Sequence, residues 1–191
     1  SVIRELSDCV EIPVINALCD RHHPTQALAD LLAIRHRFGS DPVKVAFVGD
    51  GNNVATSLME LCCMMGYDFA IASPEGFDLD VEIRSGAEQL AAQSGSRLRF
   101  TRSPQEVYTD TFVSMGQERE YESRLRAFDG FRVDPALMAR AGEGAVFMHC
   151  LPAHRGEEVT DEVMDGPSSI VFDQAECRLH VAKALLSAFL E

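Results

Sequence analysis

The stretch from Val43 to Ala72 leaves few folds open. An apolar run, Val43 to Val48, meets Gly49-Asp50-Gly51-Asn52-Asn53 and then a helical segment from Val54 to Met65, closed by Gly66; a second apolar run, Asp68 to Ala72, follows. Strand, glycine turn, helix, strand is the unit of a parallel sheet. The alternation continues with a polar helix from about Val81 to Gln93, a strand from Arg97 to Thr101 and a helical turn at Pro104 to Val107. A strand from Asp110 to Gly116, a charged helix from Gln117 to Phe128 and a helix from Pro135 to Ala141 come next. A fifth strand is expected at Ala145 to Met148, a short helix at Thr160 to Met164 and a last strand at Ile170 to Asp173. The final helix is expected to start at Asp173 or Gln174, with Leu179, Ala182, Leu185, Leu186, Phe189 and Leu190 as its apolar stripe. Before this unit, residues 11–20 read as a short strand and loop. Ala27 to Phe38 reads as a helix, with Leu28, Leu31, Leu32 and Arg35 at helical spacing. The expected class is α/β, a parallel sheet with helices on both faces.

At 191 residues the chain makes one good-sized domain, or one with appendages. A net charge of −13 argues against nucleic acid and anionic membrane as partners, so an anionic ligand must be held by placed arginines or helix N-termini. No apolar run reaches the ~18 residues of a transmembrane helix, and Ser1 to Glu5 has no signal-peptide pattern. The six cysteines, at 9, 19, 62, 63, 150 and 177, contain no C-x-x-C pair, a reduced pattern that points to the cytoplasm.

In open α/β sheets, functional groups collect where strands end. Here those places are Asp50 to Asn53, Asp110 to Met115 and His149 to Arg155. In the last, an apolar run delivers a thiol, two imidazoles and a guanidinium, with Pro152 stopping regular structure, although a buried cysteine is ordinarily just a small core residue. The glycine turn does not make a dinucleotide site: the G-x-G-x-x-G pattern has Val54 in its third place, and the second strand ends Ala72-Ser73-Pro74 with no acid. Asn52 and Asn53, at a helix N-terminus beside backbone N–H groups, suit a carboxylate. Asp110 and Ser114 suit an ammonium. Together with Asn53 they make an amino-acid site. His23 and Gln26, three apart around Pro24, can face one side of a helix start, which is equally an ordinary capped helix beginning. His22 and His23 have no second ligand pair at metal spacing, so no metal is expected.

Five ordered motifs carry a resemblance: His23-Pro24-Thr25-Gln26, Gly49-Asp50-Gly51-Asn52-Asn53, Asp110-Thr111-Phe112-Val113-Ser114-Met115-Gly116, His149-Cys150-Leu151-Pro152 and Phe172-Asp173-Gln174-Ala175-Glu176-Cys177-Arg178. They resemble the successive motifs of the ornithine carbamoyltransferases, over nearly the whole chain, and the Ser-Met-Gly loop points to ornithine over aspartate. The resemblance implies a Rossmann-like second domain of a transcarbamoylase. It divides the chain into 1–38 (end of the carbamoyl-phosphate domain and connecting helix), 39–174 (ornithine-binding domain) and 175–191 (a helix returning to the first domain). It implies that Asn53, Asp110, Ser114 and Met115 hold ornithine, and that His23, Gln26, Cys150, Leu151 and Arg178 face carbamoyl phosphate. It also implies carbamoyl transfer to the ornithine δ-amine, giving citrulline and phosphate, without metal or cofactor. The expected assembly is a homo-oligomer, trimeric in the family and a dimer or another form for this polypeptide. Two features depart from the family. Cys177 stands where Asn is usual, and no S-T-R-T-R phosphate grip is present, so the polypeptide alone is expected to be inactive.

The chemistry requires a deprotonated amine and positive partners for oxyanion and leaving phosphate. Asp110 and Cys150 are candidates for steering the proton, Arg178 and His23 for stabilising charge. Two alternatives come from other classes: a thiol hydrolase using Cys150 with His149 or His154, and a non-catalytic amino-acid-binding domain.

Overall fold

A computed structural model of the chain describes residues 2–102 and 120–190. Three strands, β1 (Lys44–Val48), β2 (Asp68–Ala72) and β3 (Leu98–Thr101), form a parallel sheet in the order β1-β2-β3, with Lys44 opposite Asp68 and Phe69 opposite Leu98. The crossovers are α3 (Asn53–Met64) and α4 (Val81–Ser94). Before them come α1 (Val2–Cys9) and α2 (Pro24–Phe38). After the sheet come α5 (Tyr121–Ala127), α6 (Pro135–Ala141), α7 (Asp161–Met164) and α8 (Val171–Leu190).

Strand alternation explains why the sheet needs helices on both sides. Val45, Phe47, Phe69 and Ile71 point to one face and pack with Ala55, Leu58, Met59 and Cys62 of α3 and with Ile83 and Ala87 of α4. Val48 and Ala72 join a second cluster with Phe128, Leu137, Phe147, Val163 and Met164. Full burial of Phe47 and Phe69 each contributes about 1.5–3 kcal/mol. The glycine turn is dictated by close packing: a Cβ on Gly51 would lie 2.3 Å from the backbone nitrogen of Leu79. Only glycine lets the two backbones meet there. Asn52 caps α3, its side chain accepting from Val54 N and Ala55 N, so the N–H groups expected to be open to a ligand carboxylate are already taken.

The sequence expectations hold for the elements from β1 to β3, and Pro104 to Gly116 lies outside the described residues. Three others are corrected. Residues 11–20 form no strand. Ala145 to Met148 is not a ladder strand either; Phe147 makes one isolated parallel bridge to Ser169. Ile170 to Asp173 is not a strand, because α8 begins at Val171 and Gln174 N already donates to Ile170 O at 2.9 Å. A short apolar run reads equally as strand or buried helix, and here Val171, Gln174 and Cys177 are buried at intervals of three along one helix face.

Both flanking helices also present a different face from the one their leucines suggested. In α2 the fully buried positions are Gln26, Ala27, Ala29, Asp30, Ala33 and Ile34, while Leu28, Leu31 and Leu32 are only half-buried. In α8 the stripe residues Leu179, Leu186, Phe189 and Leu190 are exposed. The α2–α8 contact is therefore built on small and polar residues, which lets the two helices approach closely and puts polar groups at the centre of the seam.

Candidate functional site

That seam is where the site residues meet. Pro24 sits in the first turn of α2 and His23 is its N-cap, so His23 and Gln26 leave the same end of the helix. The backbone N–H of His23 donates to Ser57 Oγ at 2.8 Å, fastening this end to α3. From α8, Arg178 brings Nη1 to 3.2 Å from His23 Nε2 and donates to Gln26 Oε1. A guanidinium only donates, so His23 Nε2 must accept and the ring proton sits on Nδ1. Thr25 Oγ1 lies 3.5 Å from that nitrogen and gives its own hydrogen to Ala17 O at 2.9 Å, leaving a lone pair for the ring. His23 is thus bound as a neutral acceptor beside the cation, and positive charge at this point comes from Arg178.

Asp30 orders the rest. Fully buried, its Oδ1 accepts from Gln26 Nε2 at 2.8 Å and from Gln174 Nε2 at 2.6 Å. A carboxylate that accepts from both amide NH₂ groups turns both amide oxygens the other way. Gln26 Oε1 meets Arg178, and Gln174 Oε1 accepts from His149 N at 2.9 Å. One buried acid therefore aligns the guanidinium of α8 and the start of the His149–Arg155 turn. Within that turn Leu151 N donates to His149 Nδ1 at 2.8 Å. Leu151 itself adopts φ 60, a left-handed conformation rare for a branched side chain and met at functional sites.

Among the sequence candidates, the structure joins His23, Gln26 and Arg178 directly, and reaches Cys150 and Leu151 through Gln174. Cys150 is half-buried and in no disulfide. Asn53 stands one turn before Ser57 on α3, and its Nδ2 donates to Cys19 O at 2.8 Å, leaving its other N–H for a ligand. Asp110, Ser114 and Met115 lie outside the described residues. His149, offered as a base for Cys150 in the hydrolase reading, is sealed in the core with Nδ1 accepting from Leu151. Burial pushes the thiols of Cys62, Cys63 and Cys177 up, Cys62 furthest, so they serve as packing groups. His154, Glu157 and Glu158 bring ligand atoms within 4.8 Å of one another, but Glu158 Oε1 is already taken by His154 N, and exposed acids commonly cluster without an ion.

Sequence reasoning missed Asp30, Gln174 and a buried ion pair. Asp50, at the end of β1, accepts from Arg124 Nη1 of α5 at 2.8 Å, with both side chains about nine-tenths buried. Arg124 also lies over the Phe77 ring, 4.9 Å from its centroid. The one readable signal was an acid inside an apolar helix: Gln26 and Asp30 are four apart, on one face.

Comparison with known proteins gives a consistent result. The family model "Aspartate/ornithine carbamoyltransferase, Asp/Orn binding domain" matches residues 41–189, and the family's carbamoyl-P binding domain matches residues 1–36. Ornithine carbamoyltransferase of Bacillus subtilis is 52% identical over 98% of this chain and 61% of its own length. The catabolic ornithine carbamoyltransferase of Halobacterium salinarum is 49% identical, over 95% of this chain and 61% of its own. The structure of ornithine carbamoyltransferase from Pyrococcus furiosus superposes with a TM-score of 0.91 at 47% identity, covering 97% of this chain and 62% of that one. The chain spans about 61–63% of the length of such curated relatives.

Proposed function

Because the chain belongs to the aspartate/ornithine carbamoyltransferase family, we propose that it supplies the amino-acid-binding part of an ornithine carbamoyltransferase. In this reading residues 39–174 hold ornithine, 1–38 end a carbamoyl-phosphate domain and 175–191 return to it. The reaction transfers a carbamoyl group from carbamoyl phosphate to the ornithine δ-amine. The observation that carries the reading is the linked group His23, Gln26 and Arg178, in which two acceptors hold one guanidinium in place on the seam between the two matched regions. It suits the carbonyl oxygen of a carbamoyl group, whose negative charge grows as the amine attacks. Asn53 and, from the motif, Asp110, Ser114 and Met115 would hold the amino-acid end. Cys150 and Leu151 would face the reacting carbon from the turn that Gln174 anchors. No helix among the described residues is long and apolar enough to cross a membrane, and six cysteines outside any disulfide support a cytoplasmic location.

The reading is tested at Asp110. Asp110→Asn keeps the shape and removes the charge. A charge-assisted hydrogen bond of roughly 1.5–3 kcal/mol corresponds to about a 10- to 150-fold loss of affinity for ornithine or its analogue norvaline. Calorimetry is expected to find that loss with carbamoyl phosphate binding nearly intact. Equal weakening of both ligands means that Asp110 supports the fold and not the substrate.

Self-association forms part of the same proposal. Leu186 and Phe189 are 55% and 52% exposed on one stripe of α8, and apolar patches of this kind promote assembly. Light scattering of the 191-residue polypeptide is expected to give a dimer or higher form. A clean monomer at high concentration overturns this.

A further inference from the structure

Directly beneath the turn that carries Cys150 and Leu151 lies a buried acid–imidazole pair that the reaction scheme leaves unused. His149 and Glu158 both have fully buried side chains, with His149 Nε2 at 3.3 Å from Glu158 Oε1. That contact is off the line of a hydrogen bond, so Nε2 counts as unsatisfied, as does Glu158 Oε2. The same Oε1 accepts from His154 N at 2.5 Å. One carboxylate oxygen therefore stands at both ends of the 149–154 turn. In between, Leu151 N donates to His149 Nδ1. Nδ1 can accept only while it carries no proton, which requires the neutral tautomer with its hydrogen on Nε2. Glu158 Oε1, 3.3 Å from Nε2, is the carboxylate oxygen beside that hydrogen, a small side-chain rotation from accepting it.

We propose that Glu158 is a positioning residue: through His149 it selects the Nε2–H tautomer and so holds the Cys150–Leu151 turn in its site-facing shape. Three features have this one cause. A carboxyl group is buried here at a desolvation cost that its single backbone donor, His154 N, only partly offsets. An imidazole beside a candidate nucleophile faces away from it. A leucine holds a left-handed backbone conformation that the Leu151–His149 bond stabilises. The functional consequence rests on the carbamoyltransferase reading, since that reading is what gives Cys150 and Leu151 a substrate to face.

The test separates the two. In this polypeptide, nitrogen NMR of the imidazole rings reports the tautomer directly, with no need for activity. His149 is expected to carry its hydrogen on Nε2 in the unaltered protein. In Glu158→Leu, which lacks the acceptor, the Leu151 amide is expected to exchange with solvent about tenfold faster, the loss of one hydrogen bond. Glu158→Gln keeps an oxygen for His149 and His154 and is expected to restore both signals. A proton on Nδ1 in the unaltered protein overturns the proposal, and so does equal behaviour of the Leu and Gln variants. If the Leu variant does not fold, the tautomer in the unaltered protein and in Glu158→Gln still decides. In the enzyme completed by a carbamoyl-phosphate domain, Glu158→Gln is expected to keep kcat within about threefold while Glu158→Leu lowers kcat more than it raises KM. Absence of citrulline from the unaltered completed enzyme would count against the carbamoyltransferase reading and leave the tautomer result standing.

Discussion

Replacing Arg178 by alanine is expected to lower carbamoyl transfer by about 10²–10³-fold, the loss that follows when one donor to a developing oxyanion is removed. Arg178 donates to Gln26 Oε1 and reaches His23 Nε2 at 3.2 Å, so it brings a cation to two groups that together face the carbamoyl subsite in the proposed reading. His23 accepts from it and adds no charge of its own. The measurement is steady-state kinetics of an enzyme in which this chain is completed by its carbamoyl-phosphate domain. A fall in kcat, with ornithine KM changed little, marks an interaction made mainly in the transition state. Arg178→Lys keeps the charge and loses the planar fork, so it is expected to recover only part of the rate. A change of less than about threefold for Arg178→Ala overturns the assignment and leaves Arg178 as a structural tie between α2 and α8.

Asp30→Ala is expected to cost about 3–5 kcal/mol of folding stability, from two buried amide N–H groups left without their acceptor at about 1–3 kcal/mol each. Two buried amides lose their common acceptor, at 2.8 and 2.6 Å, in the middle of the α2–α8 seam. Thermal unfolding is expected to show it as a Tm lower by roughly 6–20 °C for a chain of this size. Asp30→Asn keeps an oxygen where both bonds converge and is expected to recover at least half of the loss. Alanine within about 1 kcal/mol of the unaltered protein, on the same scale, means the two glutamines find other partners and Asp30 does not organise the seam.

Much of the fold was legible because it rests on local patterns. Val43 to Ala72 alternates apolar runs with a capped helix, and that order forces parallel strands with a crossover whatever follows. The motifs around His23, Asn53 and Arg178 named the family because each combines side chains that few other chemistries need at that spacing. Periodicity misled where it is blind. Ile170 to Asp173 is too short to tell strand from buried helix, and the leucines of α2 and α8 described an apolar stripe without saying which face another element would cover. Tertiary structure alone decided the polar interior. Asp30 and Gln174 are 144 residues apart, and neither is recognisable as half of a hydrogen bond until α2 and α8 pack together. The same is true of Asp50 with Arg124, and of the sealed position of His149. A buried charge is stable only beside partners brought from elsewhere in the chain. Local sequence therefore determined which segments are strands and helices and what chemistry their ends carry, while long-range packing decided which way each amide, imidazole and guanidinium points.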